Sequence, residues 1–87
     1  MSVRIETDSN FASVHFDKLT IHISYKTVIG FENSSGRIVR ENAWGPTTGK
    51  HMNAIDGGSA LAKAARIPGP EFEKRLAAVL KAHDLSY

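Results

Sequence analysis

The sequence predicts an α+β fold in which a small antiparallel sheet of three to four strands is followed by two or three helices packed on one face. Three observations predict it. Residues 19–25 alternate apolar and polar side chains, residues 33–36 have the composition of a turn, and apolar residues recur at helical spacing in 72–83. All 87 residues fit one domain.

The first half of the chain supplies the strands. Residues 1–10 are polar and are expected to be a loose lead-in, although Val3 and Ile5 alternate and allow an edge strand instead. A strand is expected from Ala12. In the strand of residues 19–25 the predicted core side chains are Leu19, Ile21, Ile23 and Tyr25, and the predicted outward ones are Thr20, His22 and Ser24. His15 and His22 are accordingly expected to face solvent.

A hairpin is the best-supported tertiary contact in the sequence. Residues 27–31 are rich in β-formers, residues 33–36 carry Asn, Ser and Gly, and residues 37–40 return as the partner strand. Lys26 and Thr27 mark a bend or a bulge before it.

The second half of the chain supplies the helices. Gly45-Pro46 is a break, after which Thr47 or Thr48 is expected to cap a helix that ends at Gly57. Residues 59–65 form a short helix or a connector. The last helix begins at Gly69-Pro70, and its predicted buried stripe is Phe72, Leu76, Val79, Leu80 and His83.

Composition limits the possible functions. The chain has 41% hydrophobic residues and no cysteine, so we expect a small core, completed by a homodimer partner, without disulfides or a zinc finger. Four scattered histidines predict no metal site, and nothing predicts a cofactor. The absence of a long apolar run predicts a soluble, cytoplasmic protein without a membrane partner.

Residues 40–56 contain the candidate site, because chemically versatile residue types cluster there around the only tryptophan. A helix start carries free N–H groups and a partial positive charge, so Lys50 there opposes the helix dipole and favours an anion site. For the threonines ordinary capping is favoured over anion binding, whereas for Lys50 and His51 the two interpretations are even. Trp44 is expected to cover the core. The candidate binding residues are Arg37, Arg40, Trp44, Thr47, Thr48, Lys50 and His51.

The same stretch carries a resemblance. Ser24-Tyr25-Lys26-Thr27, Gly30-Phe31 and Trp44 to His51 resemble a group of small phage and prokaryotic proteins. Their pattern is a Ser-Tyr-x-Thr-Pro-Val strand, a short hairpin, and then an aromatic residue, Thr-Thr and His opening a helix. Here Val28 stands at the place of the proline. The resemblance covers residues 25–55 and implies a viral or mobile-element context, in the cytoplasm of the host cell.

Three classes of function remain. The net charge of +2 and the basic residues between Arg37 and Arg66 favour an accessory module that contacts nucleic acid through the hairpin and the helix start. The alternative is a phage-encoded inhibitor that binds a host protein or defence complex. An enzyme using His51 as a base is disfavoured, because no carboxylate pair or metal cluster accompanies it.

Overall fold

The computed structural model describes residues 4–8, 10–16 and 18–82. These residues form a five-stranded antiparallel sheet and three helices. The strands are β1 (Arg4–Asp8), β2 (Phe11–His15), β3 (Leu19–Ser24), β4 (Thr27–Asn33) and β5 (Gly36–Val39). The helices are α1 (Pro46–Asp56), α2 (Ala60–Ala64) and α3 (Gly69–Ala82). The α+β class is confirmed, but the sheet has five strands where three to four were expected.

The sheet is a meander, in the order β1-β2-β3-β4-β5. Its first strand lies in the segment that was expected to be loose: residues 4–8 pair with β2, with Ile5 opposite Val14. The alternation at Ile5 is therefore that of an edge strand, while Val3 lies outside the described residues.

A bulge lies where β3 meets β4. His22 pairs with Gly30 and Ile23 with Val28, so Ile29 has no partner on β3. Because of this extra residue, Val28 and Phe31 pack on the same face of the sheet although they are three positions apart. Ile29 packs on the other face.

The β4–β5 hairpin is confirmed. The strands end at Asn33 and resume at Gly36, and Asn33 Oδ1 accepts a hydrogen bond of 2.9 Å from the Ser35 N–H. Gly36 has a φ of 128°, a conformation that glycine adopts without a steric penalty.

Helices cover both faces of the sheet, which corrects the prediction that they share one. On one face α3 buries Phe72, Leu76 and Leu80 against Leu19 and Phe31, among others. On the opposite face α1 buries Met52 and Ile55 against Ile29 and Val39, with Phe11 packed alongside. The two apolar clusters therefore lie on either side of the sheet.

This second layer reverses two assignments on β3, and a third, for Tyr25, fails because the strand ends. Leu19 and Ile21 are buried as predicted, but His22 and Ser24, which were expected to face solvent, are buried too, because the face that carries them lies beneath α1. Tyr25 was predicted to lie in the core and is instead exposed, since β3 ends one residue before it.

The helix ends follow the sequence in part. Gly57 ends α1 with a φ of 85°, as predicted, and its N–H donates to Asn53 O. Residues 60–64 are helical, capped by Ser59, whose Oγ accepts from the Ala62 N–H at 3.1 Å. The α3 stripe is confirmed through Leu80, and His83 lies outside the described residues.

Candidate functional site

A cleft of about 310 Å³ opens between the β3–β4 turn and the start of α1. Three of the residues predicted from the sequence line it, namely Trp44, Thr47 and Thr48. Ser24, Tyr25 and Thr27 line the cleft as well. The cleft thus combines two aromatic side chains with a row of hydroxyl groups.

The start of α1 at the cleft lacks the threonine cap that was predicted from the sequence. Gly45 is the N-cap residue, Pro46 is the first helical residue, and no side chain caps the end. The reason is that proline fixes φ for the first helical turn, so the helix begins before either threonine can occupy the cap position. The Thr47 and Thr48 N–H groups consequently lie in a first turn that offers them no intrahelical acceptor.

Thr48 has a different role from the one expected. Its side chain is buried, and its hydroxyl lies 3.3 Å from Ser24 Oγ. Ser24 Oγ is also 2.7 Å from His51 Nδ1, so His51 is joined to the end of β3. The His51 ring stacks on Phe11, with 5.0 Å between the ring centroids, and this contact holds α1 on the sheet.

Tyr25 has an unusual backbone conformation. It is the one non-glycine residue of the described chain with positive φ, at 57°, and its side chain is 55% exposed. The left-handed region is costly for a residue with a Cβ, and turns of this kind favour glycine or asparagine. An exposed aromatic side chain therefore occupies a turn position that its backbone disfavours.

Trp44 is 46% exposed, so the expectation that it covers the core is wrong. The backbone N–H of Trp44 donates to Asn42 Oδ1 at 2.9 Å, and Asn42 Nδ2 donates to Gly45 O at 3.2 Å. The Arg40 guanidinium lies 4.8 Å from the centroid of the Trp44 ring. A short braced loop and a cation–π contact thus fix the indole at the cleft.

The two arginines of the predicted site are engaged within the fold. Arg40 lies near the rings of both Trp44 and Phe72, and its Nη1 is 3.1 Å from Glu73 Oε1. Arg37 Nη1 donates to Ile55 O at the end of α1. Neither guanidinium lines the cleft. Both were predicted from the sequence as phosphate ligands, and the structure gives both an intramolecular partner.

Two lysines near the cleft are differently placed. Lys26 follows Tyr25 in the β3–β4 turn and Lys50 lies in the first half of α1, and both are exposed. Among the described residues, neither takes part in an ion pair. These two exposed lysines are close in sequence to cleft residues, Lys26 to Tyr25 and Thr27 and Lys50 to Thr48.

A second polar group crosses the sheet on the α1 face. Ser13 Oγ lies 2.7 Å from His22 Nδ1, and His22 Nε2 lies 2.7 Å from Glu32 Oε2. Because a carboxylate only accepts, Nε2 donates to Glu32. His15 repeats the arrangement between Thr20 and Glu6. These cross-strand pairs depend on strand register, which no pattern in the sequence determined.

The part of the chain that the structure describes has no group of three or more His, Cys, Asp or Glu residues that could hold a metal ion. None of its helices has the length and apolar character needed to cross a membrane.

Comparison with protein families gave one match. The model of a family of unknown function, DUF8033, matches residues 4–74. The chain therefore belongs to this family. The matched span includes the five strands, α1 and α2, and thus every residue of the cleft. Neither the comparison with curated proteins nor the comparison with solved structures produced a match.

Proposed function

We propose that this DUF8033 chain is a small accessory module that binds single-stranded nucleic acid in the cleft beside α1. The observation that carries the proposal is Tyr25, an exposed aromatic residue held at positive φ on the cleft wall. Backbone strain at a surface position indicates selection for the side chain, and here that side chain is one that stacks on bases.

The other features of the cleft support the same ligand. Trp44 offers a second stacking surface whose position is fixed by Arg40. The uncapped start of α1 presents backbone N–H groups of the kind that accept phosphate oxygens. Lys26 and Lys50, both exposed and close in sequence to cleft residues, would add positive charge for phosphates.

A single strand suits the cleft better than a duplex. A base can stack on an aromatic side chain only when it is free of its own stack, as in single-stranded loops and ends. Arg37 and Arg40, which would track a duplex backbone, are bound within the fold. We therefore assign phosphate contact to the two lysines and the helix start.

Binding, and not catalysis, is the proposed activity. The hydroxyl of Ser24 is almost fully buried and already engaged with His51 and Thr48, so a substrate would have little access to it. The proposed setting is a phage or mobile element acting in the host cytoplasm, which rests on the resemblance of residues 25–55.

The test uses Trp44 as its own reporter, because it is the only tryptophan of the chain. Titration with a short single-stranded oligonucleotide is expected to quench its fluorescence, and anisotropy of a labelled strand gives the affinity. Tyr25→Ala and Trp44→Ala are each expected to weaken binding by about tenfold or more, since one base–aromatic stack contributes about 1–3 kcal/mol. Leu61→Ala, on exposed α2, is the matched control. If the wild type binds no oligonucleotide at low salt, or if both aromatic variants bind normally, the proposal fails.

A protein partner is the second candidate, and the engagement of Arg37 and Arg40 favours it. With those charges bound internally, the cleft is an aromatic recess next to Pro46 that suits an apolar side chain of a host protein. If oligonucleotides do not bind, the test is affinity capture of a partner from a host lysate. Capture by the wild type and by Leu61→Ala, but not by Tyr25→Ala or Trp44→Ala, would favour an inhibitor of a host protein.

A further inference from the structure

An apolar row crosses the sheet on the face that carries α3. The cross-strand partners are Ile5 with Val14, Val14 with Ile21, Ile21 with Phe31, and Phe31 with Ile38. The row is buried at Ile21 and Phe31, and it ends at the β1 edge with Ile5, which is 63% exposed. The most exposed member of the row thus lies on the outermost strand.

No described residue pairs with the outer edge of β1, whereas the outer edge of β5 is partly occupied. Beside β5, the Ile67 N–H donates to Val39 O at 3.1 Å and the Glu41 N–H donates to Ile67 O at 2.8 Å. Within the described residues β1 pairs with β2 alone. An unpaired edge offers backbone donors and acceptors to another strand.

We infer that a second copy of this chain pairs with the β1 edge, antiparallel and centred on Ile5, to give a two-fold symmetric dimer. Centring on Ile5 places this side chain opposite the partner's Ile5 and continues the apolar row into the second sheet. The same register places Arg4 opposite the partner's Glu6, and by symmetry Glu6 opposite the partner's Arg4.

Charge distinguishes this register from its neighbour. Centring the pair on Glu6 instead would set two Glu6 carboxylates directly against each other and would place Ile5 opposite Thr7. Like charges directly opposite one another are destabilising. The Ile5-centred register is therefore the one in which the charges and the apolar side chains both find matching partners.

Charge reversal tests the register directly. Arg4→Glu leaves acidic residues on both sides of Ile5, and Glu6→Arg leaves basic ones. Each variant alone is expected to dimerise about tenfold more weakly than the wild type, because both cross-strand pairs become repulsive. When the two variants are mixed, every pair is again complementary, and a heterodimer is expected.

Native mass spectrometry with one variant isotopically labelled distinguishes the species. The wild type is expected at twice the chain mass of 9.5 kDa, and the mixture as a mixed dimer. Lys63→Glu changes an exposed charge on α2 and is expected to dimerise like the wild type. Circular dichroism of each variant checks that the fold is intact.

The inference is overturned if the wild type remains a single chain at high micromolar concentration. It is also overturned if the folded single variants dimerise like the wild type, or if their mixture forms no heterodimer. The inference is independent of the cleft, since oligonucleotide binding and chain mass are measured separately.

Discussion

Arg66 binds Asp56 through two hydrogen bonds of similar length, 2.8 Å from Nε to Oδ2 and 2.9 Å from Nη2 to Oδ1. Both side chains are largely buried. The pair joins the end of α1 to the segment between α2 and α3. The hydrogen bonds from Arg66 hold the pKa of Asp56 below its ordinary value, with a smaller contribution from the Gly58 N–H, and they outweigh the opposing effect of burial.

Asp56→Asn is expected to destabilise the fold at neutral pH by about 3 kcal/mol, because it leaves the buried Arg66 charge without its counterion. A lowered folded-state pKa means that the pair stabilises the protein above the unfolded-state pKa, near 4, and that this stabilisation is lost as the pH falls through the folded-state value. Urea unfolding at a series of pH values should therefore show the wild type and the variant converging below about pH 4.

The exposed pair of Glu71 and Arg75 provides the control. Glu71→Gln is expected to change the free energy of unfolding by less than about 1 kcal/mol, as is usual for surface ion pairs. Equal losses in the Asp56 and Glu71 variants would show that the buried pair has no special role.

Leu76→Ala is expected to lower the free energy of unfolding by about 2–4 kcal/mol, because it leaves a cavity where α3 packs on the sheet. Leu76 is only 1% exposed, whereas Leu61 on α2 is 86% exposed. The same substitution at Leu61 should therefore change stability by less than about 0.5 kcal/mol. Chemical denaturation measures both, and a Leu76 variant as stable as the Leu61 variant would mean that α3 is not docked.

Two substitutions at Tyr25 separate backbone strain from binding. Tyr25→Gly relieves the positive φ and Tyr25→Val worsens it, since a β-branched residue is poorly tolerated in the left-handed region. The glycine variant is expected to be more stable than the valine variant by about 1–2 kcal/mol, while both lose binding at the cleft. Thermal melts and oligonucleotide anisotropy give the two readouts. A glycine variant that binds like the wild type would show that the tyrosine ring is not used.

Lys50→Ala is expected to weaken oligonucleotide binding regardless of sequence and to reduce the slope of log K against log salt by about one. Each neutralised phosphate releases condensed counterions, so the slope counts the lysine contacts. Lys63→Ala, which removes an exposed lysine of α2, should leave the slope unchanged. Anisotropy titrations over a salt series measure it, and identical slopes for both variants would remove Lys50 from the site.

The sequence correctly predicted the strands, turns and helices for which only one secondary structure fits the residue pattern. The alternation at Leu19 and Ile21, the turn at Asn33 and Gly36, and the spacing of Phe72, Leu76 and Leu80 all correspond to what the structure contains. In each case local preference and burial favour the same conformation.

The second helical layer was not predicted, because the alternation of apolar and polar residues on β3 indicated that one face of the sheet is exposed to solvent. A signal for it exists in β4, where Val28, Ile29 and Phe31 form a nearly continuous apolar run around Gly30. Such runs are typical of strands covered on both faces. The polar residues His22 and Ser24 can be buried on the α1 face because side chains from other strands and from α1 form hydrogen bonds with them.

The sequence predicted some of the residues that line the candidate cleft and missed others, for a physical reason. Trp44, Thr47 and Thr48 are close in sequence and were recognised together, whereas Ser24 and Thr27 reach the cleft only through the packing of α1 on the sheet. The positions of arginines in a sequence indicate positive charge, but they do not show whether that charge has a partner within the fold. The contacts of Arg37 with Ile55 O and of Arg40 with Glu73 are tertiary, and the sequence could not reveal them.

The meander order of the sheet has a consequence for how the chain folds. Each strand pairs with its neighbour in sequence, so most of the sheet forms by closing short loops, at a small entropic cost. The bridge between Arg40 and Ile67 is different, because it closes over the whole of α1 and α2. We therefore expect the hairpins to form over a low barrier. We expect the docking of the helical half to limit the folding rate, because contacts between residues distant in sequence slow the folding of small domains.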